Sequence, residues 1–250
     1  MNKKVKRAIL FLGLIVTLVI LSVALFTIFF DQAVIVRRNT IYHIPASEKV
    51  VALTFDDGSS SEWTPKILDA LKVAQVKATF FMLGEHAEKY PNVVRRVAIE
   101  GHEIGNHTYD HHTLIYYKTP ELEKEITDAQ VAIYKACGIR TKYFRPPKAW
   151  LTENEKNDIK RMGYKIVLWS LNSKDWVSFD DRYIVRYILR RVRPGDILLF
   201  HDSGGIFRPD GGNRKETVKT IPRLVEKLKE RGYRFVTISG LLKLERKDEK

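Results

Sequence analysis

The chain has 250 residues, 44% of them hydrophobic and 29% charged, which excludes a disordered, collagen-like or multi-span membrane protein and suits one domain or two small ones. A single cysteine, Cys137, excludes an internal disulfide framework, a zinc ribbon and a Cys-x-x-Cys redox pair. Lys and Arg outnumber Asp and Glu by 43 to 30, a net +13 that favours anionic surroundings.

Part of that charge sits at the start. Lys3, Lys4, Lys6 and Arg7 precede residues 8–30, an uncharged stretch of 23 residues rich in Leu, Ile, Val and Phe. As a helix it would be about 35 Å long, enough to cross a hydrocarbon core of about 30 Å. A core helix would need a polar face, and there is none. A cleaved signal has a shorter apolar region, although Ser22-Val23-Ala24 would pass as a cleavage site. We read residues 1–7 as a cytoplasmic basic tail and 8–30 as an uncleaved single-pass anchor, with the chain outside the membrane from Asp31 on. Nucleic acid is then excluded as a partner. With those four charges set aside, the remaining +9 of the +13 suits anionic wall polymers, lipid headgroups or a generally solvated surface.

Residues 31–47 lack periodicity and read as a juxtamembrane stalk. From there the pattern predicts alternating strands and helices. Residues 50–55 form an apolar, β-branched run typical of a buried strand. Thr64-Pro65 opens a helix, 78–83 is a strand, and a helix runs from Pro91 to Gly101. A short strand at 103–105 precedes a helix from Thr119-Pro120 to Gly138. A short strand at 143–145 follows. Thr152 and Glu155 form a capping box for a helix closed by Gly163. Strands are expected at 165–170, 196–201 and 235–238, a helix capped by Asp180 and another over 214–231. Residues 245–250 read as a frayed tail. Seven βα units over residues 48–244 predict an irregular (β/α)7 barrel of parallel strands behind one N-terminal transmembrane helix.

In such a barrel the chemistry lies at the carboxyl ends of the strands. Asp56-Asp57-Gly58, His107 to His112, Arg145-Pro146-Pro147, Asn172 to Trp176 and His201-Asp202 all fall there. On a helical turn the i,i+4 spacing of His107 and His111 would put both imidazoles on one face, and with a carboxylate they make a three-ligand site with an open position. Nitrogen donors favour zinc or a neighbouring transition ion, cobalt or nickel, over magnesium or calcium. His112, His86 and His102 read as surface residues. Cys137 reads as a small packed hydrophobe, and Tyr116 and Tyr117 either stack on a sugar or pack on the barrel. Glycines 204, 205, 211 and 212 bracket a flexible loop with no P-loop spacing.

The ordered set Thr54-Phe55-Asp56-Asp57-Gly58, His107-Thr108-x-x-His111, Arg145-Pro146-Pro147, Asp175-Trp176 and Leu199-x-His201 resembles the motifs of the polysaccharide deacetylases. These are carbohydrate esterase family four, or the NodB-homology family. The resemblance covers about residues 48–240 and implies a distorted (β/α) barrel. It also implies a divalent metal held by Asp57, His107 and His111. Asp56 would be the general base, aimed by Arg145. His201 would be the general acid, oriented by Asp175. Trp176 and Leu199 would form the acetyl pocket, and the Lys148 N–H would be the backbone donor to the oxyanion. Lys148 stands where an aromatic residue is more usual, and Asn172 where many members carry an aspartate. The implied activity is N-deacetylation of amino sugars in a cell-surface polysaccharide, peptidoglycan or an exopolysaccharide. The alternatives are an O-acetyl esterase and an inactive glycan-binding barrel.

Overall fold

A computed structural model describes residues 2–26, 33–178, 180–204 and 211–248. The chain divides between Ile35 and Val36 into two compact units. In the first, helix α1 (Lys3–Phe26) carries no acidic residue in its first turn. Among the described residues it is the one helix long and apolar enough to cross a membrane, and its apolar window is unburied. Residues 27–30 of the expected span lie outside the described residues.

The second unit is built on a parallel sheet with β1 (Val50–Gly58) at its centre. On one side β1 pairs with β7 (Asp196–His201), and β7 with β6 (Leu171–Asn172). On the other, its carboxyl half pairs with β2 (Thr79–Met82) and its amino half with β8 (Arg234–Val236). The sheet continues through β3 (Glu103–Asn106) and β4 (Tyr143–Phe144) to β5 (Lys165–Ile166). This is the expected distorted barrel of parallel strands.

Alternation along the strands separates core from site. Val51, Leu53 and Phe55 of β1, Phe80 and Met82 of β2 and Leu198 and Phe200 of β7 join one apolar cluster. The cluster includes residues of α2 (Trp63–Ala74), α5 (Thr119–Cys137), α7 (Asp181–Leu189) and α8 (Lys215–Glu230). Thr54, Asp56, Leu199 and His201 are left for the opposite face. Cys137 packs against the cluster from half-buried surroundings, as expected. Gly138 ends α5 at φ 76°. The Thr152–Glu155 box opens α6 (Glu153–Arg161), and the Asp180 side chain caps α7.

Five expectations change. First, of the predicted strand 165–170 only Lys165–Ile166 is strand, and β6 follows beyond it at Leu171–Asn172. Between them the carbonyls of Val167 and Leu168 accept from the Arg145 guanidinium instead of a neighbouring strand. Second, the expected stalk belongs to the barrel unit from Val36 on. Ile41 bridges Val167, His43 bridges Asp196, and Ile44 is buried. Third, residues 245–248 lie in helix α9 (Ile238–Asp248) instead of a frayed tail, and Ile238 and Leu241 anchor that helix by burial. Fourth, α2 starts at Trp63, and Ser60 Oγ, not Thr64, accepts from its first N–H groups. Fifth, two short helices, α3 (Gly84–Lys89) and α4 (Pro91–Ile99), follow β2 where one was expected.

Candidate active site and metal centre

Neighbouring side chains on a strand leave opposite faces, yet both aspartates of Asp56-Asp57 reach one site. The register between β1 and β2 shifts between Asp56 and Gly58, and Asp57 adopts φ 73°. A bulge at Asp57 re-aims its side chain. The change of direction is made by Asp57 itself, not by Gly58. Gly58 is required for another reason: a Cβ there would lie 2.2 Å from Asp202 Oδ2.

His107 and His111 do not share a helical turn. They lie on a loop after β3 in which Thr108 (φ 74°) and His111 (φ 68°) are left-handed. Asn106 Oδ1 accepts from the Thr108 N–H, and Thr108 Oγ1 from the His111 N–H. This folded loop brings the rings to 5.1 Å between centroids. His107 Nε2 and His111 Nε2 lie 3.3 and 3.2 Å from Asp57 Oδ1.

The donor atoms of Asp57, His107 and His111 all lie within 4.8 Å of one another. Tetrahedral bonds of about 2.0–2.1 Å require donors about 3.3–3.4 Å apart, so the set fits a zinc-type ion with a position left open. His107 Nδ1 donates to the Arg145 carbonyl at 2.7 Å, which leaves Nε2 as the donor to an ion. Burial opposes ionisation of Asp57, but the facing His111 and His107 rings hold its carboxyl well below the usual carboxylate range. Burial likewise opposes protonation of His107, but Asp56 and Asp57 hold its pKa above the usual imidazole value. His112 is exposed and pairs with Asp110, as expected.

Asp56 Oδ1 accepts from Arg145 Nη1 at 2.6 Å, and its Oδ2 lies 3.9 Å from His107 Nε2, on the side of the proposed ion. Arg145 is fully buried. Its other donors go to Thr54 Oγ1 and the carbonyls of Val167 and Leu168, and Phe81 stacks beneath it at 4.0 Å.

On the opposite flank, His201 Nδ1 lies 2.9 Å from Asp175 Oδ1. Asp175 is buried and also accepts from the His201 N–H, Ser173 Oγ and Thr217 Oγ1. Burial acts to lower the His201 pKa, but the Asp175 charge outweighs it and holds the ring above its ordinary value. Burial acts to raise that of Asp175, and His201 holds it below the ordinary range.

Lys148 sits at φ 56° in the turn after Pro147. Its exposed side chain reaches Thr113 Oγ1 at 3.4 Å, beside the histidine loop. Leu199 is buried on the face it shares with His201, and Trp176 is half-buried. Asn172 accepts from the Lys174 N–H, a turn contact for which the amide suffices. Tyr116 is exposed and Tyr117 half-buried. The glycine-bracketed loop lies largely outside the described residues.

Two histidines expected at the surface are buried. His102 Nδ1 accepts from the Ala78 N–H, and burial, aided by Lys77, pushes its pKa down to about 4. His86 is buried against Asp57. Two further groups were not picked out by motif. Arg214, buried, donates to the carbonyls of Ser203 and Gly204, beside the Asp57 carboxylate. Asp202, buried beneath Gly58, accepts from the Thr64 hydroxyl at 2.6 Å. Burial and the nearby Asp57 and Asp56 charges push its carboxyl up to about 7. Arg214 read only as the start of the expected helix 214–231, and Asp202 only as a strand-end residue with no assigned role.

Residues 43–167 match the polysaccharide deacetylase family. A peptidoglycan-N-acetylglucosamine deacetylase of Bacillus cereus is 39% identical over 197 residues, 79% of this chain and 70% of that protein. The peptidoglycan-N-acetylmuramic acid deacetylase PdaA of Bacillus subtilis is 29% identical over 215 residues, 84% of this chain and 78% of that one. Among solved structures, the Bc1960 peptidoglycan N-acetylglucosamine deacetylase superposes with a TM-score of 0.76 at 37% identity, covering 81% of this chain and 92% of that one. The chain belongs to the polysaccharide deacetylase family.

Proposed function

We propose that this chain is a membrane-anchored, metal-dependent hydrolase that removes acetyl groups from N-acetylglucosamine residues of peptidoglycan outside the cell. The observation that carries the reading is the pairing of two complementary flanks, Asp56–Arg145 and His201–Asp175, around the Asp57–His107–His111 donor set. The wall substrate rests on the names of the relatives, with the glucosamine-specific one the more similar of the two compared. The outward topology rests on the basic start followed by an apolar helix.

A divalent ion at the donor set would supply Lewis acidity, lowering the pKa of a water and polarising the acetyl carbonyl. Asp56 takes the proton from the attacking water on Oδ2, the oxygen left over from Arg145. The Lys148 N–H meets the carbonyl oxygen as charge develops there. His201 has its Nδ1–H committed to Asp175, so its Nε2–H gives the proton to the leaving amine. Leu199 and Trp176 enclose the methyl group.

The test is acetate release by the purified chain from peptidoglycan, chitin oligomers and acetylated xylan, with and without exhaustive chelation. Release from peptidoglycan that chelation abolishes and added zinc restores is expected. Full activity after chelation, or release from xylan alone, overturns the reading.

A further inference from the structure

Asp57 leaves the β1–β2 ladder at its bulge, so its carbonyl needs a partner from elsewhere. His86 supplies it: Nδ1 lies 2.7 Å from the Asp57 carbonyl oxygen. A carbonyl only accepts, so the ring nitrogen is the donor. The contact is returned, because Ser59 Oγ donates to the His86 carbonyl at 3.1 Å. His86 is 2% exposed. It stands on α3, whose first N–H groups, of Gly84 and Glu85, donate to the carbonyls of Thr108 and Tyr109 at 2.9 Å. This short helix therefore grips both the loop that carries His107 and His111 and the backbone that carries Asp57.

We infer that His86 is a positioning residue for the metal centre: its Nδ1–H holds the bulged backbone of Asp57 in the one conformation that turns the carboxylate towards His107 and His111. Asp57 is not glycine, and left-handed φ is unfavourable for it. Without the donor, the buried carbonyl gains by rotating back towards an extended conformation, which swings the side chain out of the donor set. Hydrogen bonds behind metal ligands are commonly worth about 10–100-fold in affinity. The inference rests on the metal-centre reading above.

The geometry of the donor dictates the test. An Asn side chain places an amide N–H the same number of bonds from Cβ as Nδ1, whereas Gln places it where Nε2 stands. The purified full chain, stripped of metal, is titrated with zinc against a chromophoric chelator, and its cobalt form is read by visible absorption. Wild type, His107→Ala, His86→Ala, His86→Asn and His86→Gln are compared. Expected are zinc affinity weakened roughly 10–100-fold in His86→Ala and His86→Gln, an altered cobalt spectrum in both, and recovery to within a few-fold of wild type in His86→Asn. A lesion of packing alone would affect Asn and Gln alike, so equal affinities for those two overturn the inference even if His86→Ala fails to fold. So does wild-type affinity in His86→Ala while His107→Ala has lost the ion. A wild-type chain that takes up no ion overturns the metal-centre reading itself.

Discussion

Asp56 and His201 are Cα partners in the β1–β7 ladder, so the two groups proposed to handle protons start from one level of the sheet in opposite surroundings. Asp56, an anion, is clasped by a fully buried guanidinium whose remaining donors bond Thr54 and the chain between β5 and β6. His201, which carries charge only when protonated, is clasped by a buried carboxylate that also takes hydrogen bonds from Ser173 and Thr217. Each reactive group keeps one atom for the cleft, Asp56 Oδ2 and His201 Nε2. Each companion is also held by elements other than the one that carries its partner, Arg145 by the chain between β5 and β6 and Asp175 by Ser173 and Thr217. The buried charges are paired with opposite charges and hydrogen-bonded, as burial demands, and the sign of each companion matches the proposed division into a flank that accepts a proton and a flank that gives one.

The strongest way to break this comparison removes what both flanks serve. Asp57→Ala or His107→Ala should abolish zinc uptake and acetate release together, measured by elemental analysis beside kinetics. Activity that persists without bound ion would dissolve the division into flanks.

Next comes the base flank alone. Asp56→Asn should keep the ion and lose about 10²–10⁴-fold in rate, more in kcat than in KM. Retained kcat, or loss of the ion, would show that Asp56 is not the proton acceptor. Its partner behaves differently, because Arg145 also ties β1 to the chain around Val167 and Leu168. Arg145→Ala should destabilise the barrel by about 3–5 kcal/mol in denaturant unfolding, since it strands a buried carboxylate. A variant as stable as wild type would refute the scaffold role.

The acid flank is sharpened by pH. As the proposed general acid His201 must be protonated to act, and Asp175 holds its pKa above the ordinary value. Asp175→Asn should therefore move the alkaline limb of kcat to lower pH, losing about tenfold at alkaline pH for each pH unit the limb moves. An unmoved limb would sever the pair functionally.

The smallest effect is on stability. The raised His201 pKa contributes stability that is full below about pH 6.5 and is lost as pH rises through its folded value. The lowered Asp175 pKa contributes stability present above about pH 3.9 and lost as pH falls through its folded value. Wild type should exceed Asp175→Asn in Tm most between those limits, by something on the order of 2–4 °C for each 1 kcal/mol. A difference that is flat with pH would mean that the pair contributes through packing alone.

Much of this was readable from residue order alone. Apolar runs marked β1 and β7 because strands covered on both sides need no polar residues. Asp180, the Thr152–Glu155 box and Gly138 marked helix ends because capping is a contact between near neighbours in the chain. The residues proposed to react stood out because they cluster at strand ends in motif order. What the tertiary structure alone decided is how they converge. Asp57 enters the site through a bulge, and His107 meets His111 through two left-handed residues. In neither case does helical or strand periodicity predict the direction of the side chain. His86 and Arg214 gave no signal, and Asp202 stood at a strand end without a role, because a buried polar residue looks like a surface one until its partner is known. Residues 36–47 read as a stalk for the same reason: Ile41 and His43 complete their hydrogen bonding only against strands more than a hundred residues away. Local sequence records local free energy, and these features owe their stability to contacts that exist only once the barrel has closed.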